Sequence, residues 1–322
     1  PSWAYWNSEG RGGTKSTALY GQATYALSEK LNLTAGIRYT EDDRESQSAD
    51  PLSFGPTTAR LGPDLPVRTY GTRDVQRGVD ENTDYRLGAD YKLNEDLMVY
   101  ATYATAYIAG STDVTTQTLL TPQTNKSFEI GAKSTLLDGA LRLNAAAYSG
   151  KFEGLTTTAF IEQGTTGIAV ATQVPGGSIL SRGLEIEGFW DVTDALVVDF
   201  GISIDMSEYD QFIVDAGNLV WNGVAPIGSE TINDANVYVV NGEDTPYTPD
   251  MTVGVGISYF IDLGDMGTIK PHVFAYYNSG YVSNRAPVFF ADQDAYTKLD
   301  LSVKWQSVGG DYSVQAYVNN AS

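Results

Sequence analysis

Over most of its length this chain alternates apolar and polar side chains with a period of two. That pattern fits β-strands and argues against amphipathic helices. Leu31, Leu33, Ala35, Ile37 and Tyr39 interleave with Asn32, Thr34, Gly36, Arg38 and Thr40. Tyr85, Leu87, Ala89, Tyr91 and Leu93 interleave with Arg86, Gly88, Asp90 and Lys92. The same holds for Leu196 to Asp205 and for Leu299 to Trp305. Successive strand residues point to opposite faces, so each segment has one apolar face and one charged face. Gly254 and Gly256 sit inside such a segment with no helical pattern after them, so they form no phosphate loop.

The connections alternate as well. Six are short: 28–30, 94–96, 138–139, 191–194, 264–267 and 308–311. They use the glycine, asparagine and aspartate chemistry of hairpin turns. Between them run long polar connections near 42–80, 108–123, 154–181, 207–247 and 281–293. Short turns on one side with long loops on the other mark an outer-membrane barrel, whose short turns face the periplasm. A soluble sandwich has no reason to segregate its loops in this way.

Composition narrows the function classes. The chain has 322 residues, 40 of them acidic and 20 basic, for a formal net charge of -20. Such an excess repels phosphate, so nucleic acid is not an expected partner. With no cysteine there is no disulfide and no thiolate site, and with His272 as the single histidine no histidine-built metal centre is expected. No Ser-His-Asp arrangement is expected around that histidine either. No stretch reaches the roughly 18–20 apolar residues of a membrane helix, but membrane strands need only about 9–11 residues, alternately apolar.

Six short turns make six hairpins, hence about twelve strands, with both chain ends on the long-loop side. A complete outer-membrane barrel begins and ends at the periplasm, and a sheet edge cannot face lipid. The chain also starts at Pro1 without a signal-peptide pattern. The expectation is therefore part of a larger barrel, closed by strands outside this sequence.

Several segments, taken in order, resemble the TonB-dependent receptors of the Gram-negative outer membrane. Leu33-Thr34-Ala35-Gly36-Ile37-Arg38-Tyr39-Thr40 is similar to a family strand ending in "GxRY". Leu97 to Tyr107, Ser127 to Lys133, Leu137 to Tyr148 and Gly183 to Glu187 resemble later strands, and Tyr317-Val318-Asn319-Asn320 resembles the penultimate one. Each motif is short, and their order and spacing across almost the whole chain carry the likeness. The resemblance implies an all-β, antiparallel transmembrane barrel, with residues 1–322 supplying about strands 10 to 21 of a 22-stranded domain. The plug, the early strands and the final strand would lie outside this sequence.

By the same resemblance the protein is not an enzyme and needs no cofactor. It is a receptor for active uptake, driven by TonB, ExbB and ExbD acting on a plug. The expected cargo is a ferric siderophore or similar iron complex. Haem, cobalamin and carbohydrate remain open, and a passive porin shares every barrel feature. An outer-membrane enzyme or adhesin is disfavoured for want of a convergent catalytic set.

Inward charges include Arg38, Arg86, Asp90, Lys92, Arg142, Glu185, Glu187, Asp199 and Lys304. A wet inner wall accounts for most of them, since alternation must put polar residues there. Glu185 and Glu187 share one strand face, but nothing suggests a sugar ring between them. The long connections hold the candidate ligand-binding residues. Trp3, Tyr5 and Trp6 stand near Arg11, and Arg60, Arg68, Tyr70, Arg73 and Arg77 enrich the second half of 42–80. Segment 205–250 carries nine acidic residues and no lysine or arginine, with Trp221 and Tyr238 among them. Aromatic faces could stack on a sugar or chelate, and arginines could meet its anionic groups.

Overall fold

The computed structural model describes residues 10–48, 74–113, 118–162, 169–215, 229–232, 237–240, 242–283 and 292–321. Twelve strands follow one another as antiparallel neighbours in a single sheet. They are β1 Gly10–Ala26, β2 Leu31–Ser48, β3 Asp74–Lys92 and β4 Leu97–Ile108. Next come β5 Gln123–Leu136, β6 Leu141–Glu162, β7 Ala169–Asp191 and β8 Leu196–Asp215. The last four are β9 Met251–Tyr259, β10 Thr268–Asn278, β11 Tyr296–Gln306 and β12 Ser313–Val318. β1 and β12 each pair on one side only.

All six expected short turns are present, and they join β1–β2, β3–β4, β5–β6, β7–β8, β9–β10 and β11–β12. The one between β5 and β6 passes through Leu137, Asp138 and Gly139, all at positive φ. The other side of the sheet differs from the expectation. Much of what reads as polar loop in 42–80, 154–181 and 207–247 is paired strand. β2 and β3 stay in register out to Ser48 and Asp74, and β6 and β7 pair out to Glu162 and Ala169. Strands of 22 and 23 residues are about twice what crosses a membrane. Alternation does not reveal such extensions, because a strand above the membrane has no face that must be apolar. Gly154, at φ 80°, forms a bulge where these hairpins leave the apolar zone.

The two faces obey opposite rules. Among the described residues Leu120 and Tyr209 are the buried apolar side chains. Large apolar residues instead lie exposed on one face: Leu33, Ile37, Leu87, Ile130, Ile257, Val273 and Leu301. So extended an apolar surface on a sheet without a core requires hydrocarbon outside. Two aromatic rows bound it. The lower row is Tyr25, Tyr91, Trp190, Tyr259 and Trp305, each last or next to last in its strand before a short turn. The upper row includes Tyr39, Tyr85 and Tyr103. On β3 the rows are six residues apart, about 20 Å along the strand. These are the interfacial girdles of a membrane barrel, whose apolar band stands about 25 Å tall.

Pro271 sits inside β10, where proline would break a ladder. Pairing to β9 lapses there, between Ser258↔His272 and Ile261↔Ile269, so no donor is missed on that side.

Two measurements test the faces and their orientation. Val198→Arg, on the apolar face of β8, should destabilise the full-length barrel by about 2–4 kcal/mol more than Asp199→Arg on the other face. Equal losses in a urea titration would mean the faces are wrongly assigned, and a larger loss for Asp199→Arg would mean they are reversed. An impermeant maleimide on intact cells should label Glu45→Cys and spare Glu95→Cys.

Candidate functional site

The polar face is concave. Side chains from seven consecutive strands, β4 to β10, line one hollow of about 550 Å³ on it. Its walls carry Glu129, Glu185, Glu187 and Asp199, with Lys133 as the one cation among them. Nearer the short turns a second hollow of about 850 Å³ is lined by Lys30, Lys92, Lys133 and Arg142 together with Glu29, Glu95 and Asp96. The inner face thus has an acidic middle and a more basic lower rim.

Tyrosines and glycines organise the acidic middle. Gly183 of β7 lies between Tyr148 of β6 and Asp205 of β8 in register. Because it has no Cβ, the Tyr148 ring lies across it, and the phenol donates to Asp205 Oδ2 at 2.6 Å. Tyr100 uses Gly131 in the same way and donates to Glu129 Oε1 at 2.7 Å. Asn144 donates to Glu187 Oε1 at 2.9 Å, and Asn32 donates to Asp90 Oδ2 at 2.8 Å. Aromatic rings over glycines restore the packing a bare backbone lacks. The cations rest on rings too: Lys133 over Tyr100 at 5.7 Å, Arg142 over Phe189 at 4.9 Å and Lys298 over Tyr296 at 5.1 Å.

The inward charges read from the sequence keep that face: Glu185, Glu187 and Asp199 line the first hollow, Lys92 and Arg142 the second. Arg38 pairs across from Asp84, and Lys304 stands opposite Lys270. His272 bonds through Nδ1 to the Ser258 hydroxyl at 2.9 Å. Glu129, Tyr100, Tyr148 and Asp205 were missed. Their local signal is a glycine at the matching position of a neighbouring strand, which register alone reveals.

At the outer rim Lys151 bonds Asp210 at 2.8 Å, and Ser178 donates to the same carboxylate. These hydrogen bonds hold Asp210 below its usual pKa and Lys151 above its own. Asp244, beside Glu208, is pushed up by burial and then by Asp250 and Glu208. Of the candidate ligand residues, Trp3, Tyr5, Trp6, Arg60, Arg68, Tyr70, Arg73 and Trp221 lie outside the described residues. Tyr238 belongs to the short strand Val237–Val240, which pairs with the outer end of β8.

Residues 3–321 match the family model described as TonB dependent receptor-like, beta-barrel. The chain belongs to the TonB-dependent receptors. It is therefore an outer-membrane β-barrel chain, and its concave face is the lumen wall. The pesticin receptor of Yersinia pestis is 23% identical over 330 residues, covering 99% of this chain and 41% of its own length. Among solved structures, the ferric yersiniabactin uptake receptor from Yersinia pestis superposes with a TM-score of 0.72 at 17% identity, over 98% of this chain and 42% of that one. The ferric-catecholate import receptor Fiu from E. coli K12, in its closed form, gives 0.65 at 21%, over 97% and 41%. This receptor chain thus spans about two fifths of the length of these relatives.

The glycine slots make a sharp test. Gly183→Val would drive a side chain into the Tyr148 phenol and the Ile204 carbonyl. Gly201, on the same face one strand away, has open space above it. In the full-length barrel Gly183→Val should cost about 1–3 kcal/mol, and Gly201→Val should be close to neutral, both read as urea midpoints.

Proposed function

We propose that this chain is the wall of an active importer that captures a ferric siderophore or similar iron complex and moves it inward with energy from TonB. The observation that carries the reading is the match of nearly the whole chain to the receptor barrel family. It is supported by relatives whose names specify ferric yersiniabactin and ferric catecholates. The architecture agrees with it. A wall of twelve strands encloses more space than side chains fill. Its tall hairpins stand on one side only, where an extracellular ligand would arrive.

In this reading strands outside the chain close the barrel at β1 and β12, since an open edge in lipid leaves amides unpaired. A plug fills the lumen, and TonB, ExbB and ExbD supply the force that displaces it. The role of this chain is to bind and position, and no bond is made or broken. Capture falls to the outer connections, where Trp3, Tyr5, Trp6, Arg60, Arg68, Tyr70, Arg73, Trp221 and Tyr238 offer ring faces and guanidinium groups. Cells would read the two steps separately, because binding needs no energy and displacement does.

Replacing 216–236 by an Asn-Gly turn would leave Asp215 and Val237 as the paired ends of the hairpin. In the full-length protein this change should weaken surface binding of a radiolabelled ferric chelate at least tenfold, with the barrel still assembled. Deleting TonB should leave binding intact and abolish accumulation. Accumulation that continues undiminished without TonB would favour a passive channel.

A further inference from the structure

The inner face of the β2–β3 hairpin changes character above the upper aromatic row. Thr40, Asp42 and Arg44 follow one another at alternate positions there, and all three are buried, at 5%, 6% and 6% exposure. Among the described residues they lie beside Tyr107 of β4 and the connection between β4 and β5. Its two legs pair with each other, Thr112 with Leu119 and Asp113 with Thr118, and Leu120 N–H donates to the Ser111 carbonyl at 2.8 Å. Leu120 is itself 4% exposed.

One guanidinium joins this connection to the wall. Arg44 Nη2 meets Asp80 Oδ2 at 2.6 Å, with side chains 8% and 12% exposed. Its Nη1 donates to the Ser111 carbonyl at 3.0 Å. From the other direction, Gly110 N–H donates to the same Asp80 oxygen at 3.0 Å. Asp80 and Asp42 face each other across the hairpin, one position along from Arg44 on the same face. The Tyr107 hydroxyl lies beside Asp42 without a well-formed hydrogen bond, and burial first, then Asp42, keeps it protonated beyond its usual range. Apolar contact completes the seat: Gly78 has no side chain where Leu119 lies against it. Gly110 has none where the two legs cross, and a Cβ there would strike the Leu120 carbonyl.

We infer that the two legs of the β4–β5 connection, residues 110–113 and 118–120, form a strap latched against the lumen wall of the outer mouth by Arg44, and that these legs uncover the wall when this latch opens. The chemistry fits a latch better than a permanent joint. Arg44 Nε and Asn82 Nδ2 are buried there with no hydrogen-bond partner among the described protein groups, so wall and strap satisfy the seat incompletely. Few apolar side chains are buried in it, and the links between strap and hairpin run through one arginine and one aspartate. A planar fork is needed, because two targets in different directions must be held at once. The inference rests on the orientation of the wall in the membrane and not on the identity of the cargo.

The test is solvent access in the full-length protein in outer membranes, with no other reactive cysteine. Leu120→Cys and Asn82→Cys should react with an impermeant maleimide at least tenfold more slowly than Lys126→Cys, an exposed reference outside the strap. Adding Arg44→Gln should bring both to within a few-fold of that reference and leave the reference rate unchanged. Arg44→Lys, which can keep the ion pair but cannot also hold Ser111, should fall between. If Arg44→Gln fails to assemble, Arg44→Lys and Asp80→Asn decide on the same scale. Leu120→Cys that labels as fast as the reference in the parent protein, or rates unmoved by every latch variant, would overturn the inference.

Discussion

Inside a bilayer the only partner for a strand's N–H group is the carbonyl of the strand beside it. That requirement explains why this wall can dispense with a core. Ladder hydrogen bonds, not buried side chains, hold neighbouring strands together, and the two faces are left to suit two solvents. Outward positions can be leucine, isoleucine and valine because lipid tails receive them. Inward positions can be charged because the lumen is wet. Proline is admitted at 271 because pairing to one neighbour lapses around it.

The lumen face shows how polar residues are kept in order without a core. Tyr148 and Asp205 come from strands that are not hydrogen-bonded neighbours, and Gly183 on the strand between them leaves the room for one to reach the other. Tyr100 of β4 lies across Gly131 in a related way and reaches Glu129 two residues along the same neighbouring strand. A carboxylate held by a phenol and a cation resting on a ring are both polar groups whose orientation is fixed by an aromatic side chain. The acidic middle and basic lower rim are therefore built surfaces and not an undirected scatter of charge.

The sequence made the faces of β2, β3, β8 and β11 legible, because lipid and water impose opposite demands on successive residues. It made the six turns legible through asparagine, aspartate and glycine. It concealed everything above the membrane. From Glu41 to Ser46 neither face meets lipid, so no apolar period appears although the pairing is unbroken. Arg44 illustrates the loss: nothing local separates it from Arg38, and its burial depends on where a connection 67 residues away comes to rest. Tyr148 and Asp205 are 57 residues apart and meet only through two registers. The lower aromatic row could have been found, since each member stands at the same place relative to a turn. Eight of the nine candidate ligand residues lie outside the described residues, so their reading still rests on residue type.

The tall hairpin of β6 and β7 has a consequence for what happens above the membrane. A free loop of that length samples many shapes, and ordering its backbone costs about 1–2 kcal/mol for each residue fixed. In a paired ribbon that ordering is already complete before anything arrives. Along such a ribbon every second residue belongs to the same face, at a set spacing, like teeth on a comb. An incoming molecule then meets a surface whose shape is settled, so more of the contact energy is available for affinity. The same stiffness limits adaptation, so discrimination among chemically similar visitors would come from fixed spacing, not from a loop that wraps whatever it meets.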